Sequence, residues 1–353
     1  MNKKRAVHFT IMLMFLVPLL GAQCSVPGQG GGDDDVTTER SDYRRGTDGI
    51  DIEFVKDAPP DVIYDEGGTG TNEIQLLAEV RNKGTFTTDV FLYLSGFDPN
   101  IIGLPSMLAN TIKLEGKSIY NSEGGLAVVD FASDGRVSGG AQRGSIALPS
   151  KGGKPVVDSY SPKFTITACY AYETEASPVV CVDPDPYSIT HEKSCRVGEV
   201  TGLGMGGQGA PVSISGVSTE IVPGKAIFEI RVSNSGQGRV ITKEAVTQGG
   251  SSSAPSAGAK CPFNLGYSDL NLVDYVVTFQ GDDISSTANR AASTIDEGCQ
   301  PGRIRLVNGK GTLYCRFNVD RDQADAYKTP LQINLQYGYM SAADRDIEIK
   351  STR

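Results

Sequence analysis

FTITACYAY, Phe164 to Tyr172, puts an apolar or aromatic residue at every second position, with Thr, Ala or Cys between them. Side chains alternate between the two faces of an extended strand, so Phe164, Ile166, Ala168, Tyr170 and Tyr172 share one face. The stretch predicts a strand with one side buried. The same pattern returns as LQINLQYGY, Leu331 to Tyr339, with Tyr337 and Tyr339 in the places of Tyr170 and Tyr172. Within each pair the rings fall on one face. Their recurrence in both copies favours packing in a shared fold over an aromatic binding platform.

Working outward, a second template precedes each copy. LLAEVRNKG (Leu76–Gly84) and FEIRVSNSG (Phe228–Gly236) both alternate with period two and end in an Asn-x-Gly turn signal. The spacing from Asn82 to Tyr170 is 88 residues and from Asn234 to Tyr337 it is 103, a surplus of 15. The low-complexity run QGGSSSAPSAGAK (248–260) is about that size and reads as a loop insertion. The repeats therefore predict an all-β chain of two tandem immunoglobulin-like antiparallel β-sandwiches, residues 50–195 and 209–353, each burying its own core, with a Gly-rich linker at 196–208. Short return strands are expected after each tyrosine pair, at Val179–Val182 and Ile347–Ile349. No run of helical periodicity exceeds about ten residues.

Six cysteines lie in this region: Cys169, Cys181, Cys195, Cys261, Cys299 and Cys315. An even set in an exported chain reads as a disulfide framework. A hairpin turning at Glu175 would set Cys169 opposite Cys181, within bridging distance across the ladder. Cys299 with Cys315 and Cys195 with Cys261 complete that expectation. No CxxC pair occurs and His191 is the single histidine beyond the leader, which argues against a structural zinc.

The N-terminus carries Lys3-Lys4-Arg5, then an apolar run from Ala6 to Leu20, then Gly21-Ala22. The apolar run is shorter than the roughly 20 residues that span a bilayer, and the pattern is that of a signal peptide over residues 1–22. Cys24 stands where a lipoprotein signal is cut and lipidated, although Gln23 replaces the usual small residue before it. Retention as an anchor and plain secretion remain the alternatives. Residues 23–49, rich in Gly and Asp, read as a flexible tether.

The chain has a formal net charge of −9, which becomes −12 without the three leader cations. It shows no basic stripe, so nucleic-acid binding is not expected. No residue pattern calls for a cofactor, a metal or a catalytic group. GMGGQG at Gly204–Gly209 has the letters of a dinucleotide fingerprint, but Ala210-Pro211 and an alternating strand follow where a helix is needed. His191 sits in a polar connector, which suits a solvated residue better than a catalytic base. The carboxylates Asp183/Asp185, Asp282/Asp283 and Asp33–Asp35 would serve calcium binding or glycoside hydrolysis only if the fold grouped them.

IYDEGGTGTNEIQLLAEVRNKGTFTTDVFLYLSGFDPN and its weaker echo IVPGKAIFEIRVSNSGQGRV resemble the CARDB-type immunoglobulin-like adhesion repeats of archaeal and bacterial surface proteins. With the APPD segment at Ala58–Asp61 and the C-Y-x-Y stretch, the exported portion is similar to secreted proteins of small-genome archaea. The resemblance implies a sandwich at the cell surface and carries over no catalytic residue. It points to a non-enzymatic, membrane-tethered adhesion, binding or structural module whose partner is a surface protein or a glycan, with membrane contact through the N-terminus alone. Self-association through sheet edges, as a filament or envelope subunit, is the alternative, and a carbohydrate-active or carbohydrate-binding protein the next.

Overall fold

The computed structural model describes residues 42–65, 72–104, 108–131, 144–151, 154–188, 193–201, 208–222, 224–247, 260–285, 297–319 and 325–352. Cys24, Asp33–Asp35, His191, the leader and most of the low-complexity run lie outside them.

The protein is all-β, built from antiparallel sandwiches. In the first half the main strands are β1 (Ile50–Phe54), β2 (Val62–Asp65), β3 (Leu77–Asn82), β4 (Thr88–Ser95), β5 (Leu108–Leu114) and β6 (Leu126–Asp130), then β7 (Ser159–Tyr160), β8 (Lys163–Ala176) and β9 (Val179–Val182). The second half has β10 (Glu199–Thr201), β11 (Val212–Val222), β12 (Lys225–Asn234), β13 (Arg239–Ile241) and the short helix α1 (Lys243–Thr247). It continues with β14 (Leu272–Phe279), β15 (Gly298–Gln300), β16 (Lys310–Asn318), β17 (Tyr327–Asp346) and β18 (Glu348–Ser351).

In one layer β3 lies between β1 and β6; in another β12 lies between β11 and β16, with β10 and β15 at the edges. The largest sheet is continuous through both halves and includes the order β14, β17, β8, β4, β5. Its centre is the antiparallel pairing of β8 with β17, which runs from Lys163↔Asp346 to Ala176↔Ile333. The expected alternation is what makes this possible. Phe164, Ile166, Ala168, Tyr170 and Tyr172 are buried on one face, and Leu331, Ile333, Leu335, Tyr337 and Tyr339 join them. Each large apolar side chain so buried stabilises the fold by about 1.5–3 kcal/mol.

Three expectations need correcting. First, the two repeats do not bury separate cores: one contiguous cluster takes in Val80 and Leu92 of the first half and Phe228, Ile230 and Leu313 of the second. The shared sheet leaves no boundary at which the core could divide.

Second, neither return strand folds back on the tyrosine strand that precedes it. At Cys169 both edges of β8 are occupied, by Phe91 of β4 and Met340 of β17. β9 therefore pairs with the start of β17, Val179↔Pro330 to Val182↔Tyr327. The last strand, β18, is likewise displaced and lies between β2, in parallel, and β7.

The disulfides follow from that rerouting. Cys169 bonds Cys261, and Cys181 bonds Cys195, so neither Cys169–Cys181 nor Cys195–Cys261 forms. Cys299–Cys315 forms as expected, as a cross-strand pair between β15 and β16. Cys169 points to the face opposite the tyrosines, where Ala245 and Val246 of α1 and the segment around Cys261 cover Tyr93, Ile241 and Met340 in a second small cluster.

Third, parts of the expected tether and linker are built in. Gly49 is buried just before β1, and a side chain there would meet the Tyr170 hydroxyl and Pro211. Glu199–Thr201 forms an edge strand on β11, fixed by the Arg231–Glu199 ion pair.

Candidate functional site: the seam between the repeats

The pairing of β8 with β17 sets Tyr170 opposite Tyr339 and Tyr172 opposite Tyr337, about a centre at Ala171↔Gly338. The four rings pack against one another with centroids 5.7–6.3 Å apart, tilted or edge-on as aromatic quadrupoles favour. A buried phenol needs a partner for its hydroxyl. Each finds one, and the two repeats solve the problem in the same way.

In the first repeat the Tyr172 hydroxyl donates to Asn82 Oδ1 (3.2 Å) and accepts the Phe86 N–H (3.3 Å), while Asn82 Nδ2 donates to the Phe86 carbonyl (2.7 Å). In the second the Tyr339 hydroxyl donates to Asn234 Oδ1 (3.0 Å) and accepts the Gly238 N–H (2.9 Å), while Asn234 Nδ2 donates to the Gly238 carbonyl (3.0 Å). Tyr170 accepts the N–H of Ile50 at 3.0 Å, and Tyr337 accepts that of Val212 at 3.3 Å. The Asn-x-Gly signal thus has a second cause besides its turn. A Cβ at Gly84 would overlap the Tyr172 hydroxyl, and one at Gly236 would crowd that of Tyr339. Burial pushes Tyr170, Tyr172 and Tyr337 well above the usual phenol range and Tyr339 to about 12.

Beside the quartet lies a cleft of about 350 Å³ to which both repeats contribute. Buried Tyr170 and Tyr339 line its inner wall, and Asp48, Asp51, Lys83, Gln237 and Ser341 supply charged and hydrogen-bonding groups. Asp51 and Lys83 form an ion pair at 2.6 Å. The hydrogen bond that the Lys83 ammonium donates to Asp51, with the nearby charges of Asp51, Glu53 and Asp48, holds it above its usual range against the opposing effect of burial. Ser341 donates to the Ile50 carbonyl at 3.2 Å, as Thr174 does to the Val212 carbonyl at 2.6 Å in the related position.

The repeats differ at one place that matters to the cleft. Phe86 packs edge-on against Tyr172, with centroids 5.6 Å apart. Its counterpart beside Tyr339 is Gly238, where a Cβ would meet the Met340 carbonyl. The first position carries a second ring; the other carries no side chain and lines the cleft.

Of the carboxylates singled out from the sequence, those among the described residues are not grouped. Asp183 is buried and paired with Lys193 (2.8 Å), whose ammonium also donates to the Asp185 carbonyl (2.5 Å), inside the loop closed by Cys181–Cys195. Asp283 accepts from the N–H and hydroxyl of Ser285, which is turn chemistry. Among the described residues no three His, Cys, Asp or Glu side chains gather as a metal site. Of the Gly204–Gly209 motif, Gln208 and Gly209 are described, and β11 rather than a helix follows; the carbonyl of Gly209 accepts the Thr85 N–H. The cleft is not legible in the sequence, because Asp48, Lys83, Gln237 and Ser341 meet only once β8 pairs with β17. Compared with known proteins, the chain matches no family model and no curated protein.

Proposed function

We propose that this chain is an exported, non-enzymatic surface protein, held to a membrane through its N-terminus and acting as an adhesion, binding or structural module of the CARDB-like kind. The observation that carries the reading is a disulfide framework closing a duplicated β core behind an export-type leader. Three disulfides fit an oxidising compartment. A continuous sheet through both repeats suits a part that holds its shape under load and offers binding groups on a fixed scaffold. The polar seam cleft supplies a place for a partner to engage, with a surface protein or a glycan as the partner class.

Two measurements test this together. Mass spectrometry of the mature N-terminus is expected to find cleavage near residue 22 with a lipid adduct on Cys24; an intact leader or a plain cut moves the anchoring reading to its alternatives. Protease treatment of whole cells is expected to digest the chain, and complete protection in intact cells ends the surface reading.

A second reading, self-association as an envelope or filament subunit, draws on β6. That strand pairs with β3 alone among the described strands and exposes Leu126 and Val128, the kind of edge that accepts another strand. Ordered polymers of the purified protein would favour it.

A further inference from the structure

We infer that the seam cleft is a binding site for a single neutral sugar residue, such as the terminal hexose or N-acetylhexosamine of a glycan. The inference rests on the surface-module reading and names its ligand class.

The cleft has the size of a small-molecule site, at about 350 Å³. Its exposed lining is mainly polar, which disfavours an apolar ligand. Its charges are nearly balanced: Asp51 is neutralised by Lys83 at 2.6 Å, and the exposed Asp48 is the one lining carboxylate without an ion pair among the described residues. A divalent cation wants several oxygen ligands and more than one free carboxylate, and an anion finds the ammonium already paired. What remains is a mixture of donors and acceptors at fixed positions: the carboxylate of Asp48, the amide of Gln237, the hydroxyls of Thr47 and Ser341, and the Asp51–Lys83 pair. A polyol, each of whose hydroxyls both donates and accepts, matches that mixture.

The site is also held in place. Tyr170 and Tyr339 behind it are locked by hydrogen bonds to Ile50, Gly238 and Asn234, so the lining need not be ordered by the ligand. Its asymmetry points the same way. The first repeat places a ring, Phe86, at the related position, whereas the second has Gly238 there, and Gly238 lines the cleft. A feature required only by the common fold would be expected in both repeats.

The test uses the mature full chain with a panel of methyl glycosides of neutral hexoses and N-acetylhexosamines, and with arginine amide as the cationic comparison, read by saturation-transfer NMR and titration calorimetry. At least one glycoside is expected to bind with Kd at or below about 1 mM. Asp48→Asn and Gln237→Ala are expected to weaken it tenfold or more. Thr47→Trp, a substitution at an exposed rim position, is expected to abolish it, with the melting temperature of all three variants unchanged. Arginine amide binding in place of every glycoside overturns the sugar assignment. Glycoside binding indifferent to all three variants, or no binding by any probe, overturns the site. Cell-surface protease digestion run in parallel separates the two levels: a displayed but sugar-blind chain removes the cleft and keeps the surface module, and an undisplayed chain removes both.

Discussion

Asn82 is fully buried in an apolar core; its Nδ2 donates to the carbonyls of Phe86 and Leu114, and its Oδ1 accepts from the Gly84 N–H and the Tyr172 hydroxyl. Removing such a group leaves several partners without hydrogen bonds, each costing about 1–3 kcal/mol. Asn82→Ala is therefore expected to destabilise the fold by about 3 kcal/mol or more, measured by urea unfolding. Asn234→Ala, at a half-buried copy of the same position, is expected to cost less. Equal effects would mean that the two corners are not held as described. The tyrosines add a pH dependence of fixed sign. Burial keeps Tyr170 and Tyr337 neutral well beyond the usual phenol range, and raises Tyr275 and Tyr339 to about 12. In the unfolded chain a tyrosine ionises near pH 10. Above that pH the unfolded state sheds protons that the folded state retains, so stability falls, by up to about 1.4 kcal/mol per pH unit for a fully buried ring such as Tyr170 or Tyr337. The less enclosed Tyr275 and Tyr339 contribute less. Below pH 10 these groups leave stability unchanged. Urea midpoints at pH 9 and pH 11 should differ accordingly, with phenolate absorbance of the buried rings appearing only on unfolding.

At the scale of the element, alternation in the sequence says which face of a strand is buried and is silent about which strand lies at each edge. That is why β8 and β17 are legible to the residue in their buried faces while their partners are not. A turn at Glu175 would pair β8 with β9, yet both edges of β8 at Cys169 are taken, by Phe91 of β4 and Met340 of β17, 78 and 171 positions away in sequence. Nothing local in the chain marks partners at that range. The disulfides inherit the same logic. Cys169–Cys261 closes a separation of 92 residues and Cys181–Cys195 one of 14. If a crosslink acts mainly by restricting the unfolded chain, the longer loop contributes more, about 4–5 kcal/mol against about 3. Cys169→Ala with Cys261→Ala is therefore expected to lower the urea midpoint further than Cys181→Ala with Cys195→Ala. The opposite order would show that strain or residual structure, rather than loop length, sets the contribution.

For the whole molecule, the duplication is legible because each copy repeats the same local solution: an alternating strand, an Asn-x-Gly corner and a pair of tyrosines. The joining of the copies is not, because it depends on β8 and β17 presenting edges to each other, and an edge leaves no period in the sequence. The seam cleft is hidden for the same reason. The joined core has a thermodynamic consequence. Two sandwiches on a linker would unfold separately, whereas a sheet continuous from β14 to β5 and a single buried cluster tie the stability of each repeat to the other. Scanning calorimetry of the mature chain is expected to give one transition, with equal calorimetric and van't Hoff enthalpies. A substitution in one repeat, such as Phe228→Ala, should then move that single transition rather than split it. Two resolved transitions, with only one displaced by Phe228→Ala, would mean that the pairing of β8 with β17 does not couple the halves.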